Sequence, residues 1–90
     1  MYNKRGVKLI MKKVELVQLL EKENIPLNSY CLDGGLPNDR LCLDRTRQGW
    51  IVYYTEMGEK YEEVGFPSEE DACKYFYKRI KEVIGNKCYL

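Results

Sequence analysis

Histidine does most proton transfer near neutral pH, and this chain of 90 residues has none. The groups left for chemistry are 14 acidic side chains, eight tyrosines and the cysteines Cys31, Cys42, Cys73 and Cys88. Carboxylate acid–base pairs need two environments that push their pKa values apart. Here the acids fall at candidate helix starts and turns, where their ordinary work is to cap amides and stay solvated. The cysteine separations make no C-x-x-C pair, and no histidine can complete a zinc ligand set. They read as reduced packing residues. Phosphate-cradling glycine loops, nucleophile elbows and zinc-binding helices are all absent from the sequence. Asp33-Gly34-Gly35 is most economically a turn. The expectation is a protein that is not an enzyme and uses no metal and no other cofactor.

Charge placement says more than total charge. Fifteen basic side chains nearly balance the acids, for a net +1, so no global field draws the chain to nucleic acid or an anionic membrane. Between residues 56 and 71, however, lie Glu56, Glu59, Glu62, Glu63, Glu69, Glu70 and Asp71, opposed only by Lys60. A connected hairpin and helix start is expected to gather these acids toward one edge. Such a patch attracts a basic partner and speeds its association. Tyrosines near it add rigid apolar area with a polar tip. The candidate partner-binding residues are therefore Glu56, Glu59, Tyr61, Glu62 and Glu63. A merely soluble surface over aromatic core residues fits the same pattern.

The elements that position these residues can be read along the chain. Residues 1–10 form a basic N-terminal extension without amphipathic pattern. Arg5-Gly6-Val7 can be encoded by the purine-rich bases of a ribosome-binding site, which would make Met11 the authentic start; a frayed basic terminus fits equally. Residues 11–85 are expected to be a single α+β domain and 86–90 a tail. Val14, Leu16, Val17, Leu19 and Leu20 recur at helical spacing from Met11 to Glu23, and Asn24 and Pro26 end that helix. Short strands follow at Tyr30–Leu32 and Leu41–Leu43. Trp50–Glu56 alternates most clearly, and its apolar bulk on both faces marks a central strand. A glycine-containing turn at Met57–Glu59 leads into Lys60–Phe66. Ser68 caps a second helix whose buried stripe is Ala72, Cys73, Phe76, Ile80, Val83 and Ile84, with Gly85 as its stop. The order is α-β-β-β-β-α, an antiparallel meander sheet covered by two helices, with part of the other face wet. Trp50, Val52, Phe76 and Ile80 are expected in the core.

Four segments stand out: Tyr30-Cys31-Leu32-Asp33-Gly34-Gly35, Asn38-Asp39-Arg40, Gly49-Trp50-Ile51-Val52-Tyr53-Tyr54-Thr55-Glu56-Met57-Gly58 and Phe66-Pro67-Ser68-Glu69-Glu70-Asp71-Ala72-Cys73. In these the chain resembles small immunity proteins of bacterial polymorphic and contact-dependent growth inhibition toxin systems. In that family the turn tends to read Glu-Arg-Gly, so Met57 is a departure. The resemblance implies an α+β antitoxin that binds the C-terminal toxin domain of a cognate secreted effector. A basic nuclease domain is the expected partner, because a cleft built for a polyanion is matched by an acidic plug. Val7 to Met11 is too short and interrupted for a signal-peptide core, and a cytoplasmic location follows as an expectation. The alternative is a nucleic-acid-binding regulatory domain with a double-stranded RNA-binding-like topology. Against it, Glu69, Glu70 and Asp71 stand at the helix start where such domains set lysines against phosphate.

Overall fold

Residues 12–87 are described by a computed structural model of the chain. Segment 1–10, Met11 and Cys88 lie outside the described residues. Helix α1 spans Lys13–Lys22, and after a 3-10 turn at Leu27–Ser29 come β1 (Tyr30–Cys31), β2 (Arg40–Thr46), β3 (Gly49–Glu56), β4 (Glu59–Phe66) and α2 (Glu69–Lys87). This is the α+β order expected from the sequence.

The ends of α1 follow local chemistry. Its first turn is closed by the Lys12 amide donating to Glu15 Oε1 at 3.4 Å. At the other end Asn24 takes φ 57. The Asn24 amide bonds Glu21 O, and the Ile25 amide bonds Leu20 O, which together make a Schellman cap with asparagine in the left-handed position. At α2 the Asp71 amide donates to Ser68 Oγ at 3.1 Å, as the capping pattern foretells. Gly85 does not stop this helix, which continues two residues further to Lys87. A glycine inside a helix costs only about 1 kcal/mol relative to alanine, so continuation past it is affordable.

The four strands lie in the order β1-β2-β3-β4. β2, β3 and β4 are the antiparallel meander, whereas β1 pairs parallel to β2 through Tyr30↔Leu41 and Cys31↔Cys42. A parallel neighbour usually needs a long crossover. Here the strand is two residues long, so the connection 32–39 has little distance to recover. β2 runs on to Thr46, beyond the expected Leu43, because pairs such as Asp44↔Ile51 and Arg45↔Trp50 continue the ladder through polar side chains.

Both helices pack on one face of the sheet. Leu16 and Leu20 of α1, Leu41, Leu43 and Val52 of the sheet, and Ala72, Cys73, Phe76 and Ile80 of α2 form one buried cluster with Tyr30. Val52, Phe76 and Ile80 are thus in the core as expected. Trp50 is only half-buried at the end of the sheet, with the Arg45 guanidinium 5.5 Å from its ring centroid. Val14, expected on the apolar face of α1, is exposed. The two helices run parallel: Glu69 Oε2 accepts from the Lys13 amide at 2.8 Å at their starts, and Glu23 accepts from Tyr77 Oη further along. Glu69 therefore sits between two positive helix ends.

The opposite face is covered in part by the 32–39 loop. Tyr53 is fully buried there, its hydroxyl donating to Gly35 O at 2.7 Å, and the Gly34 amide donates to Leu43 O at 3.1 Å. Gly34 takes φ 72, and a Cβ on it would lie 2.5–2.7 Å from the Asp44 carboxylate, so any other residue would be strained in its backbone and would have to displace that side chain. Thr55, also fully buried, accepts from the Arg40 amide and donates to Arg40 O, which leaves its hydroxyl satisfied.

Burial makes the fold sensitive to alkali. It pushes the Cys73 thiol up to about 11, helped by Glu69 and Glu15, and also raises Cys42 and Tyr53. A folded-state pKa above the unfolded one gives stability that is complete below the unfolded value and is lost as pH rises toward the folded value. For Cys73 that window runs from its ordinary 9.0 to about 11. The urea midpoint is expected to fall across this interval, and Cys73→Ala to flatten the fall. A midpoint constant from pH 8 to pH 11 would contradict the burial of these groups.

Candidate partner-binding site

The β3–β4 hairpin presents the acidic residues singled out above. Its two-residue turn, Met57-Gly58, has φ 51 and 80, the paired positive angles of a type I′ turn. Asn38 Oδ1 accepts from the Met57 amide at 3.1 Å, which ties the tip to the loop before β2. Met57 itself is 85% exposed. Asparagine is the preferred residue at this turn position, so Met57→Asn is expected to raise stability by several tenths of a kcal/mol, read as a higher melting temperature.

Directly below the tip, Glu56 and Glu59 face each other across the two strands. Like charges in register are unfavourable in a sheet. Among the described residues neither carboxylate is in an ion pair. Glu59 Oε2 accepts from Tyr61 Oη at 3.1 Å, and that contact raises the phenol above its ordinary pKa. Tyr61 is exposed and pairs in register with half-buried Tyr54. Glu56, Glu59 and Tyr61 are therefore gathered at one end of the hairpin.

Glu62 and Glu63 are not part of that group. The register slips between Val52↔Val64 and Tyr54↔Tyr61, so Glu62 and Glu63 together oppose Tyr53, and Glu62 takes φ 54. This is a β-bulge. It turns Glu62 toward α2, where its carboxylate pairs with Arg79, which also binds Glu82 at 2.7 Å. Glu63 takes the register position on the opposite face, where Lys60 Nζ sits 4.5 Å from the Tyr53 ring centroid.

The acids of the second helix are also elsewhere. Trp50↔Phe66 closes the end of the hairpin opposite Glu56↔Glu59, and α2 begins just beyond Phe66. An eight-residue strand spans roughly 25 Å. The expected gathering of hairpin and helix-start acids at one edge is thus corrected: the extended strand holds the two groups apart. Glu69 serves the Lys13 amide and Glu70 pairs with Lys74 at 2.7 Å. Sequence reasoning missed Asn38, which braces the tip, and Arg79, which neutralises Glu62. Neither carries a local signal, because both act across the fold.

The described residues contain no group of three or more histidine, cysteine or acidic side chains able to hold a metal, and no helix long and apolar enough to cross a membrane. A hollow of about 530 Å³ is lined by Pro26, Asn28, Ser29, Asn38, Asp39, Arg40 and Ile84, of which Asp39 and Arg40 are charged. Compared with protein-family models, curated proteins and solved structures, the chain matches none.

Proposed function

We propose that this chain is an immunity protein that acts in the cytoplasm, binding the C-terminal toxin domain of a cognate secreted effector and covering a basic active site, most simply that of a nuclease. The observation that carries this reading is the Glu56–Glu59 couple, mutually repelling and in no ion pair among the described residues, at an exposed, braced hairpin tip beside Tyr61. A cationic partner would turn that repulsion into attraction, and Tyr61 and Met57 offer apolar area for the contact. The family resemblance of the segments on either side supports the same role.

The direct test is co-purification of the tagged chain with the toxic C-terminal domain encoded beside it. A stoichiometric complex in which toxicity is silenced supports the proposal. A folded, toxic domain that does not bind overturns it. Within the complex, Glu56→Lys with Glu59→Lys is expected to slow association by at least about tenfold at low salt, with the difference shrinking as salt screens the pair. Unchanged association kinetics would move the contact away from the hairpin tip.

A further inference from the structure

Two thiols stand side by side on the loop-covered face of the sheet. Cys31 of β1 and Cys42 of β2 are register partners. In-register residues on neighbouring strands project to the same face with the strands about 4.8 Å apart. That spacing falls inside the window of about 4.4–6.8 Å between Cα atoms that a disulfide bridges. Their electrostatics agree, since charge on Cys31 opposes ionisation of both Cys42 and Tyr53.

The surroundings of the two sulfurs differ. Cys31 is partly exposed, with its Sγ 3.3 Å from Gly34 O, whereas Cys42 is fully buried, with its Sγ 3.7 Å from Arg40 O and 3.9 Å from Thr55 Oγ1. One thiol is open to solvent and the other is not. We infer that Cys31 and Cys42 form a thiol–disulfide exchange site, which small disulfides of the glutathione class oxidise to a bond tying β1 to β2.

In the first step the Cys31 thiol loses its proton to solvent and attacks one sulfur of the external disulfide, expelling one thiolate. In the second, Cys42 loses its proton and attacks Cys31 Sγ, expelling the other. The external disulfide is reduced to two thiols and the pair is oxidised by two electrons. The product closes residues 31–42 into a covalent ring around the loop that covers Tyr53, and it fixes a strand otherwise held by two residue pairs.

The test is peptide mapping of the folded chain, carried in a Cys88→Ser background, after incubation with oxidised glutathione and blocking of free thiols. Trypsin cuts after Lys22, Arg40 and Arg45, so the two cysteines fall on separate peptides. Expected is a linked pair, 23–40 joined to 41–45, with Cys73 recovered in the blocked form of a free thiol. The Cys42→Ala variant should instead keep glutathione on Cys31, and Cys31→Ala should leave Cys42 unmodified. A glutathione adduct that persists on Cys31 in the presence of Cys42, a bond from either to Cys73, or no reaction at all would overturn the inference. The mapping alone decides the matter if a variant fails to fold.

Discussion

Phe76→Ala is expected to destabilise the protein by about 3–5 kcal/mol, the usual cost of removing a fully buried aromatic ring. Phe76 is the largest α2 side chain without exposure, and it meets the Tyr30 ring edge-to-face at 6.4 Å, so the cavity would open where α2, β1 and the sheet converge. A domain of this length carries stability of only about 5–13 kcal/mol. The substitution should therefore remove a large share of it, seen as a much lower urea midpoint. Trp50→Ala provides the contrast. Removing a buried tryptophan costs about 3–5 kcal/mol, but this ring is half-buried and shares its face with Arg45, so its loss should be clearly smaller. Equal midpoints for the two variants would mean that the core is centred nearer the end of the sheet than the packing of Phe76 indicates.

Gly49→Ala is expected to be comparably severe for a different reason. Gly49 has φ 141, and a Cβ there would sit 2.4 Å from the Phe66 carbonyl oxygen. The obstacle is backbone, and it belongs to the strand paired with β3, so relief requires β4 and the start of α2 to move together. Gly58 supplies the control. Its φ is 80, but an added Cβ meets nothing within 4 Å. Gly58→Ala should thus cost only the conformational term, about 1–2 kcal/mol. Gly49→Ala should exceed it by at least about 2 kcal/mol, because strain of that kind is joined by the displaced contact. Matching melting temperatures for the two variants would show that β4 yields freely at Phe66.

Local features were legible in the sequence and distant ones were not. The Ser68 cap, the Asn24 stop, the Met57-Gly58 turn and the buried stripe at Ala72, Cys73, Phe76 and Ile80 each depend on residues within a few positions of one another, and each is found in the structure, although Val83 and Ile84, expected in the same stripe, are only half-buried. The parallel seat of β1 depends on a return across the sheet by residues 32–39, whose glycines suggest a turn but not its destination. The Glu62 bulge breaks the strand alternation at a residue with no intrinsic preference for the left-handed region, so its charge could not be assigned to Arg79 in advance. For the candidate site, composition marked the acidic hairpin, while the bulge and the length of β4 determined which acids stay together. The departure at Met57 was visible in the sequence; that Asn38 braces its amide was not.

The parallel arrangement of α1 and α2 has a bearing on how the chain is assembled. Their contacts join positions 56 residues apart at Lys13 and Glu69, and 54 apart at Glu23 and Tyr77. The hairpins β2–β3 and β3–β4, by contrast, join near neighbours and close small loops first. Helix α1 precedes α2 in the chain, and the cluster that buries its Leu16 and Leu20 is complete only once Ala72, Cys73, Phe76 and Ile80 of α2 have joined it. The contacts that seat α1 against α2 thus close the longest loops in the fold and are expected to form after the hairpins.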